Sequence, residues 1–499
     1  MRIYTAVEGL VQQGIAAELI QPEDKVYARN QVLSKLGLDS FPEEVECETD
    51  KDIPDLVDEL VDYAVSQEFI PDLFDKKEIL ASQIMNVFMP RPSEVNREFY
   101  QRYKINPENA TDFFYRLSQN SNYIQTKRIA NNISYKASTV YGELDITINL
   151  SKPEKDPKQI ALEKEMKKTG VNYPKCLLCV ENEGYAGRIG HPARSNHRMI
   201  HVDLADEDWY FQYSPYVYYN EHCIVLSSEH RDMKIDKGTF VRLLEFVEQY
   251  PHYFIGSNSD LPIVGGSILT HDHYQGGNYE FAMATAEEEH AFTMEGYPGV
   301  HAATVKWPMS VIRLRSENKA QLVDAADFIL DTWKSYSDVS VEIAAYTDEI
   351  PHNTITPIAR MRNGAYEVDL VLRNNRTTEE YPLGIFHPHA DVHHIKKENI
   401  GLIEVMGLAV LPARLKHELG EVEKFLLDEE NKIADYHLMW AKEMKEKYGP
   451  ELSGATVEEI VRKEVGIKFM RVLEDAGVYK RDETGQAAFR RFTDLLAQA

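Results

Sequence analysis

Paired glycines around a histidine-bearing segment constrain this chain more than any other feature. The segment reads Thr270-His271-Asp272-His273-Tyr274-Gln275-Gly276-Gly277, and Gly265-Gly266-Ser267 lies just upstream. Glycine weakens an ordinary strand interior, so glycine pairs mark a close approach of backbone to something else. Read as a strand, side chains two apart share a face. His271, His273 and Gln275 then line one side, while Asp272 and Tyr274 point away. Two imidazoles and an amide suit metal ligation, or attack by a histidine on phosphorus with the amide donating to phosphoryl oxygens. The turn at Gly265-Gly266-Ser267 adds a backbone that a phosphate can approach. The competing reading is a core strand with two hydrogen-bonded histidines; the flanking glycines argue against it.

The chain has 499 residues, 43% of them hydrophobic, enough for two or more domains with a large core. Its 55 basic and 81 acidic residues give a net charge of −26, a field that repels nucleic acid and anionic membranes. A phosphorylated small molecule is not excluded, because salt screens the global field beyond ~8 Å and local donors decide. No stretch approaches the ~20 apolar residues of a membrane span. The start, Met1 to Gly9, carries an early acid and does not read as a secretory signal. Four cysteines in so long a chain make no disulfide framework, so a cytoplasmic, reducing setting is expected.

The first part, to about residue 135, reads as helical. Leu56, Val57, Leu60, Val61 and Ala64 recur at helical spacing behind Asp52 and Pro54. Leu144, Ile146, Ile148 and Leu150 alternate as a half-buried strand, and the charged stretch from Lys152 to Lys168 reads as an exposed connection running into a short helix. From about Cys176 to Arg315 strand-like aromatic and β-branched runs appear, among them Tyr216 to Tyr219, Cys223 to Leu226 and Ser310 to Leu314. A helix is expected from Thr239 to Tyr250, another from Ala320 to Lys334, and a strand from Glu367 to Arg373. The pattern predicts an α+β unit around a mainly antiparallel sheet. From Arg414 the tail turns helical, with Leu415, Leu419, Val422 and Leu426 as its stripe. Two His-x-His segments, at His271/His273 and His387/His389, hint at two related halves.

Cys176-Leu177-Leu178-Cys179 places two thiols at a spacing that suits one tetrahedral metal, typically zinc, with a redox dithiol as the rival reading. His230 and His271 are candidates to complete such a site. Cys223, in an apolar run, reads as a buried small hydrophobe. Cys47 has no evident partner, and Lys164, Lys167 and Lys168 read as a solvated helix face.

A C-x-x-C, a later histidine ending a strand, and His-x-His-x-Gln after a glycine-rich turn resemble the galactose-1-phosphate uridylyltransferase family of the histidine triad superfamily. Tyr213 to Cys223, His271 to Gly277 and Ile400 to Pro412 resemble its longer, class II branch, over essentially the whole chain. The resemblance implies histidine-triad-like antiparallel sheets in two related halves, with an added helical N-terminal region and a helical tail: 1–165 helical, 166–318 the catalytic half, 319–415 the second half and 416–499 the tail. It implies a ping-pong reaction in which galactose 1-phosphate takes the uridylyl group of UDP-glucose, giving UDP-galactose, by way of a uridylyl-histidine. His273 is then the nucleophile. Gln275 and Ser267, with Gly265 and Gly266, bind phosphoryl groups. Asn196 and Asn258 contact the nucleotide. Cys176, Cys179, His230 and His271 hold zinc, and no organic cofactor is expected. Lys397 and Glu404 fall where the family places sugar contacts made across a homodimer.

Imidazole has an ordinary pKa near ~6.5, so at neutral pH it is a nucleophile without an activating base. Related hydrolases place a third histidine where Gln275 stands, and an amide cannot shuttle a proton to water. A phosphorylase or hydrolase of dinucleoside polyphosphates is the alternative activity. The shorter class has proline and glycine where Asp272 and Tyr274 stand; both point off the shared face in the strand reading. In that class a His-x-His in the second half holds a structural metal with a glutamate, which would be His387, His389 and Glu289 here. The other reading has these histidines satisfying each other's hydrogen bonds beside Asp391, and His393 and His394 have no expected role.

Overall fold

The computed structural model describes residues 2–45, 50–151, 162, 170 and 172–498. Cys47, the basic cluster Lys164, Lys167 and Lys168, and nearly all of the connection from Lys152 onward lie outside the described residues. The chain divides into two compact units, one of Met1–Asn131, Ser151–Val217 and Glu221–Arg231, the other of Asn132–Leu150, Tyr218–Asn220 and Asp232–Ala499. Each combines helices with antiparallel strands, as the α+β reading expects.

The first unit is led by helices, including Ile53–Ser66, Pro92–Tyr103 and Pro107–Asn120. Ile53–Ser66 begins where the Asp52 carboxylate accepts from the Asp55 N–H at 2.9 Å, with proline in the first turn. Its buried face is Ile53, Leu56, Val57, Leu60, Val61 and Ala64, the stripe legible in the sequence. The strands Ile200–Leu204, Glu207–Tyr213 and Cys223–Ser227 pair antiparallel in that order. Aromatic rings join helices to strands: Phe114 packs edge-on against Phe211 at 5.5 Å and against Phe99 at 6.2 Å.

In the second unit an antiparallel sheet runs in the order His273–Gly277, Phe254–Gly256, Asn353–Arg362, Ala365–Asn374, Val311–Ser316, His301–Val305 and Glu288–Phe292. Asn353–Arg362 and Ala365–Asn374 are joined by Asn363-Gly364, with φ of 52° and 82°. Both lie in the left-handed region that a two-residue hairpin turn requires. The helices Lys237–Gln249 and Lys319–Ser335 start at side-chain caps, Asp236 to the Thr239 N–H and Asn318 to the Gln321 N–H. A second sheet pairs Ile133–Thr139 with Gly142–Ile148 antiparallel and adds Leu408–Leu411 in parallel. The tail forms the helices Arg414–Leu426, Asp435–Tyr448, Val457–Ala476 and Glu483–Ala497. Leu144, Ile146 and Ile148 share one buried cluster with Leu415, Leu419, Val422 and Leu426. A Cβ on Gly466 would stand 2.2 Å from that of Ala137, so this glycine lets helix Val457–Ala476 lie directly on the sheet.

Two expectations need correction. Tyr216 to Tyr219 forms bends and turns rather than a strand. Pro215 supplies no N–H there, and Glu221 sits at φ 55°, so a ladder cannot continue through the stretch. The histidine segment is extended and paired only from His273 onward, so His271 precedes the strand.

Candidate active site

His273–Gly277 pairs antiparallel with Phe254–Gly256, with Gly256 opposite Gln275 and Phe254 opposite Gly277. Tyr274 is fixed on one face of this strand, its hydroxyl accepting from Arg242 Nε of helix Lys237–Gln249 at 2.8 Å. Strand alternation turns His273 and Gln275 to the other face. His273 Nδ1 lies 2.7 Å from the His271 carbonyl. A carbonyl only accepts, so Nδ1 carries the proton and Nε2 keeps its lone pair. Burial, partly countered by that bond, lowers the His273 pKa to about 4, so the ring is neutral throughout the physiological range. The Gly276 carbonyl accepts from the Tyr219 hydroxyl at 3.2 Å, which ties the strand to the bends at Tyr218 and Tyr219.

Upstream, steric crowding explains the glycine pair. A Cβ on Gly265 would lie 2.5 Å from the Ser259 carbonyl oxygen and 2.6 Å from that of Leu261. One on Gly266 would lie 2.9 Å from Asn258 Nδ2. Asn258 is buried, and its Oδ1 accepts from the Leu402 N–H at 2.8 Å. One asparagine thus braces both the glycine-rich turn and the start of the short helix Leu402–Val405. Ser267 is exposed at the end of the turn. Glu404 pairs with the buried Lys396 at 3.0 Å, while Lys397, one residue on, is exposed.

The first unit carries the Cys-x-x-Cys. The Sγ atoms of Cys176 and Cys179 are 3.5 Å apart, far beyond a disulfide's ~2.05 Å. Cys179 Sγ lies 3.2 Å from His230 Nδ1. These three ligand atoms fall within 4.8 Å of one another. The Leu178 N–H points at Cys176 Sγ at 3.3 Å, and the Asn182 amide donates to the carbonyls of Cys176 and Cys179 at 2.9 and 2.8 Å. Burial and the neighbouring sulfur push the Cys179 thiol up to about 12; a bound cation reverses that by favouring thiolate. Two thiols and an imidazole this close fit a soft divalent metal such as zinc. Asn182, which orients both cysteine carbonyls, was not singled out in the sequence.

Asn196 lies in the first unit too, buried, with its Nδ2 donating to the Ser121 carbonyl at 2.9 Å. It lines a cavity of about 610 Å³ with Phe74, Tyr123, Arg128, Arg194 and Tyr216. Arg194 stacks over the Tyr123 ring at 5.6 Å. Aromatic faces, two guanidiniums and amides suit a planar base with an anionic group.

The second histidine cluster gathers no metal-ligating set among the described residues. His387 Nε2 bonds Asn399 Oδ1 at 3.1 Å, His389 Nε2 donates to the Ile385 carbonyl at 2.9 Å, and His393 Nε2 to that of Pro388 at 2.7 Å. Glu289 is engaged elsewhere, gripped by both terminal nitrogens of Arg481 at 2.6 and 2.8 Å. The partners of His387 and His389 are thus Asn399 and backbone carbonyls rather than each other's rings.

Comparison with known proteins agrees with this chemistry. Residues 18–232 match the model of the galactose-1-phosphate uridyl transferase N-terminal domain, and residues 245–442 that of its C-terminal domain. A galactose-1-phosphate uridylyltransferase of Streptococcus pneumoniae serotype 4 is 55% identical over 98% of both chains. Those of Clostridium perfringens and Ligilactobacillus salivarius are 53% and 54% identical, again over 98% of both chains. Among solved structures, yeast Ap4A phosphorylase Apa2 aligns at a TM-score of 0.32 and 14% identity, covering 60% of this chain and 88% of that one, too loosely to argue from. Two matching domain models and near-complete coverage at more than half identity leave one conclusion, that the chain belongs to the galactose-1-phosphate uridyl transferase family.

Proposed function

We propose that this protein is a UDP-glucose–hexose-1-phosphate uridylyltransferase that makes UDP-galactose from galactose 1-phosphate. His273 Nε2 attacks the α-phosphorus of UDP-glucose, forming a P–N bond as the P–O bond to glucose 1-phosphate breaks. A phosphate oxygen of galactose 1-phosphate then attacks the same phosphorus, and the nitrogen leaves as the neutral ring. The observation that carries this reading is the bond from His273 Nδ1–H to the His271 carbonyl, 2.7 Å long. It fixes the tautomer that presents a lone pair on Nε2, and it steadies the partial positive charge the ring gains on attack. Gln275 donates its amide to the phosphoryl oxygens, and the Gly265-Gly266-Ser267 turn adds donors. Asn258 holds that turn in place, and Asn196 helps form the nucleotide cavity.

Cys176, Cys179, His230 and His271 are assigned as zinc ligands. The close donor set of the first three supports this. The metal would neutralise two thiolates and set the position of His271, whose carbonyl orients His273. We take the protein to be a cytoplasmic homodimer in which Lys397 and Glu404 meet the sugar phosphate held by the partner. No helix among the described residues is long and apolar enough to cross a membrane.

The test is to quench enzyme during turnover with UDP-glucose labelled at the α-phosphate, digest it and map the label. Label on His273, released by added galactose 1-phosphate, is expected. Label elsewhere, or none, would overturn the assignment. Zinc content of protein purified without added metal checks the ligand set: about one ion per chain is expected, and a metal-free enzyme of full activity would refute it.

A further inference from the structure

We propose that Arg373 is a buried cation whose counter-charge arrives with the substrate, and that it favours phosphate binding at the glycine-rich turn through Thr356 and Ser259 and through its field. In this role, which rests on the uridylyl-transfer reading, it is a positioning residue: at 1% exposure it touches no ligand. The strand register places it. Facing residues on neighbouring antiparallel strands share a side of the sheet, as do residues two apart along one strand. Gln275 faces Gly256, Gly256 faces Ile358, and Thr354, on the same side as Ile358, faces Arg373. Arg373 therefore belongs to the side that carries His273 and Gln275.

From there the guanidinium reaches the root of the turn. Its Nη1 donates to Thr356 Oγ1 at 3.3 Å and its Nη2 to the Ile400 carbonyl at 2.9 Å, while Nε has no hydrogen-bond partner. Thr356 Oγ1 lies 2.7 Å from Ser259 Oγ. Ser259 is bridged to Gly265, and its carbonyl oxygen is one of the two that a Cβ on Gly265 would strike. Three neutral contacts thus lead from a buried charge to the backbone assigned to phosphoryl groups.

What the guanidinium lacks is a carboxylate. On the same side of the sheet Arg313 pairs with Asp369, and Arg360 with both Asp369 and Glu367. Arg373 forms no ion pair among the described residues, and Glu404 is the one carboxylate whose charge acts on it. Glu404 is taken at 3.0 Å by Lys396, itself buried. Lys396 also meets Glu398 at 3.8 Å, but that carboxylate is half exposed and water screens it. Burial accordingly lowers the Arg373 pKa to about 10, with Glu404 opposing, and the group stays charged at neutral pH. A buried charge without a counter-charge costs stability that folding does not return. An arriving anion returns it on binding. The diphosphate of UDP-glucose brings negative charge to this side of the sheet, in a chain whose net charge of −26 otherwise repels it.

Calorimetric titration of the full-length protein with UDP and with uridine separates this role from a structural one, because uridine brings the nucleoside without the charge. Arg373→Met, which keeps the apolar stem, should bind UDP at least about tenfold more weakly and uridine within about twofold of wild type. Arg373→Lys restores the charge without the fork and should recover most of the UDP affinity. Thr356→Val keeps the charge and removes the bridging hydroxyl, so it should weaken UDP severalfold and leave uridine unchanged. Should Arg373→Met not fold, Arg373→Gln, which keeps a donor for the Ile400 carbonyl, takes its place. Equal losses for UDP and uridine, with a fallen thermal midpoint, would make Arg373 a structural brace and overturn the proposal. Unaltered UDP affinity in Thr356→Val would overturn the route through Ser259. Wild-type protein that gains no label on His273 and binds no UDP overturns the substrate reading and this role with it. A labelled wild type whose UDP affinity survives in Arg373→Met overturns this role alone.

Discussion

In the proposed reaction a single hydrogen bond at His273 decides which nitrogen can act. With Nδ1–H committed to the His271 carbonyl, Nε2 is the proposed covalent carrier, and replacing His273 by glycine would remove it. Turnover of UDP-glucose with galactose 1-phosphate should fall by at least about a thousandfold in His273→Gly. A variant within tenfold of wild type would remove this histidine from the mechanism. On the same proposal Gln275 governs what the intermediate does next. It is half-buried on the same strand, and its amide can donate to phosphoryl oxygens yet cannot take a proton from water. Gln275→His supplies a general base, so the ratio of uridylyl hydrolysis to transfer should rise roughly tenfold or more. Release of UMP from UDP-glucose with and without galactose 1-phosphate measures it, and an unchanged ratio would show that water is excluded by other means.

Among the elements, the adjoining strands Val311–Ser316, Asn353–Arg362 and Ala365–Asn374 are bound by charges as well as by backbone. Asp369 is fully buried and accepts from Arg313 Nε at 2.7 Å and from an Arg360 terminal nitrogen at 2.6 Å. Desolvation opposes its ionisation, but the two guanidiniums hold its pKa below the ordinary value. Asp369→Asn would leave two buried cations short of a counter-charge, which costs about 3–5 kcal/mol. Urea unfolding should show that loss; a change under about 1 kcal/mol would mean the arginines find other acceptors. Such a network was invisible in the sequence, because the partners are brought together only by register, Arg313 opposite Asp369 and Arg360 opposite Glu367. What was legible had a local cause. The helix at Leu56 to Ala64 followed from spacing and a cap. The glycine pair at Gly265 and Gly266 followed from a need for bare backbone. The run from Tyr216 to Tyr219 misled because ring-rich composition signals a strand, yet Tyr219 is buried by packing 5.0 Å from Phe281 and 5.6 Å from Phe254, contacts far along the chain. The pairing of Glu404 with Lys396 rather than Lys397 likewise turns on which lysine the backbone buries.

For the whole molecule, burial of neutral histidines sets the response to acid. Burial, with Arg188 and Arg194 nearby, lowers His191 to about 4; burial, with His437 nearby, does the same to His394; and His197 lies well below its ordinary value for the same first reason. Each binds a proton more tightly unfolded than folded. Their contribution to stability is therefore complete above about pH 6.5 and is lost as pH falls toward 4. For a drop from 6.5 to about 4 the loss is at most roughly 3 kcal/mol per histidine. Two effects run the other way. Carboxylates raised by burial, such as Glu183 and Asp145, regain stability as pH falls through their raised values toward the ordinary carboxylate range, about 4, and so offset part of the loss. Neutralising part of the −26 charge relieves self-repulsion, but salt screens that term and leaves buried groups untouched. Between pH 7 and 5 in about 0.5 M salt the histidines should therefore dominate. The urea midpoint is expected to fall steadily across that interval, with the steepest loss below pH 6.5. A midpoint that stays flat or rises would mean that these rings reach water, or a counter-charge, when protonated.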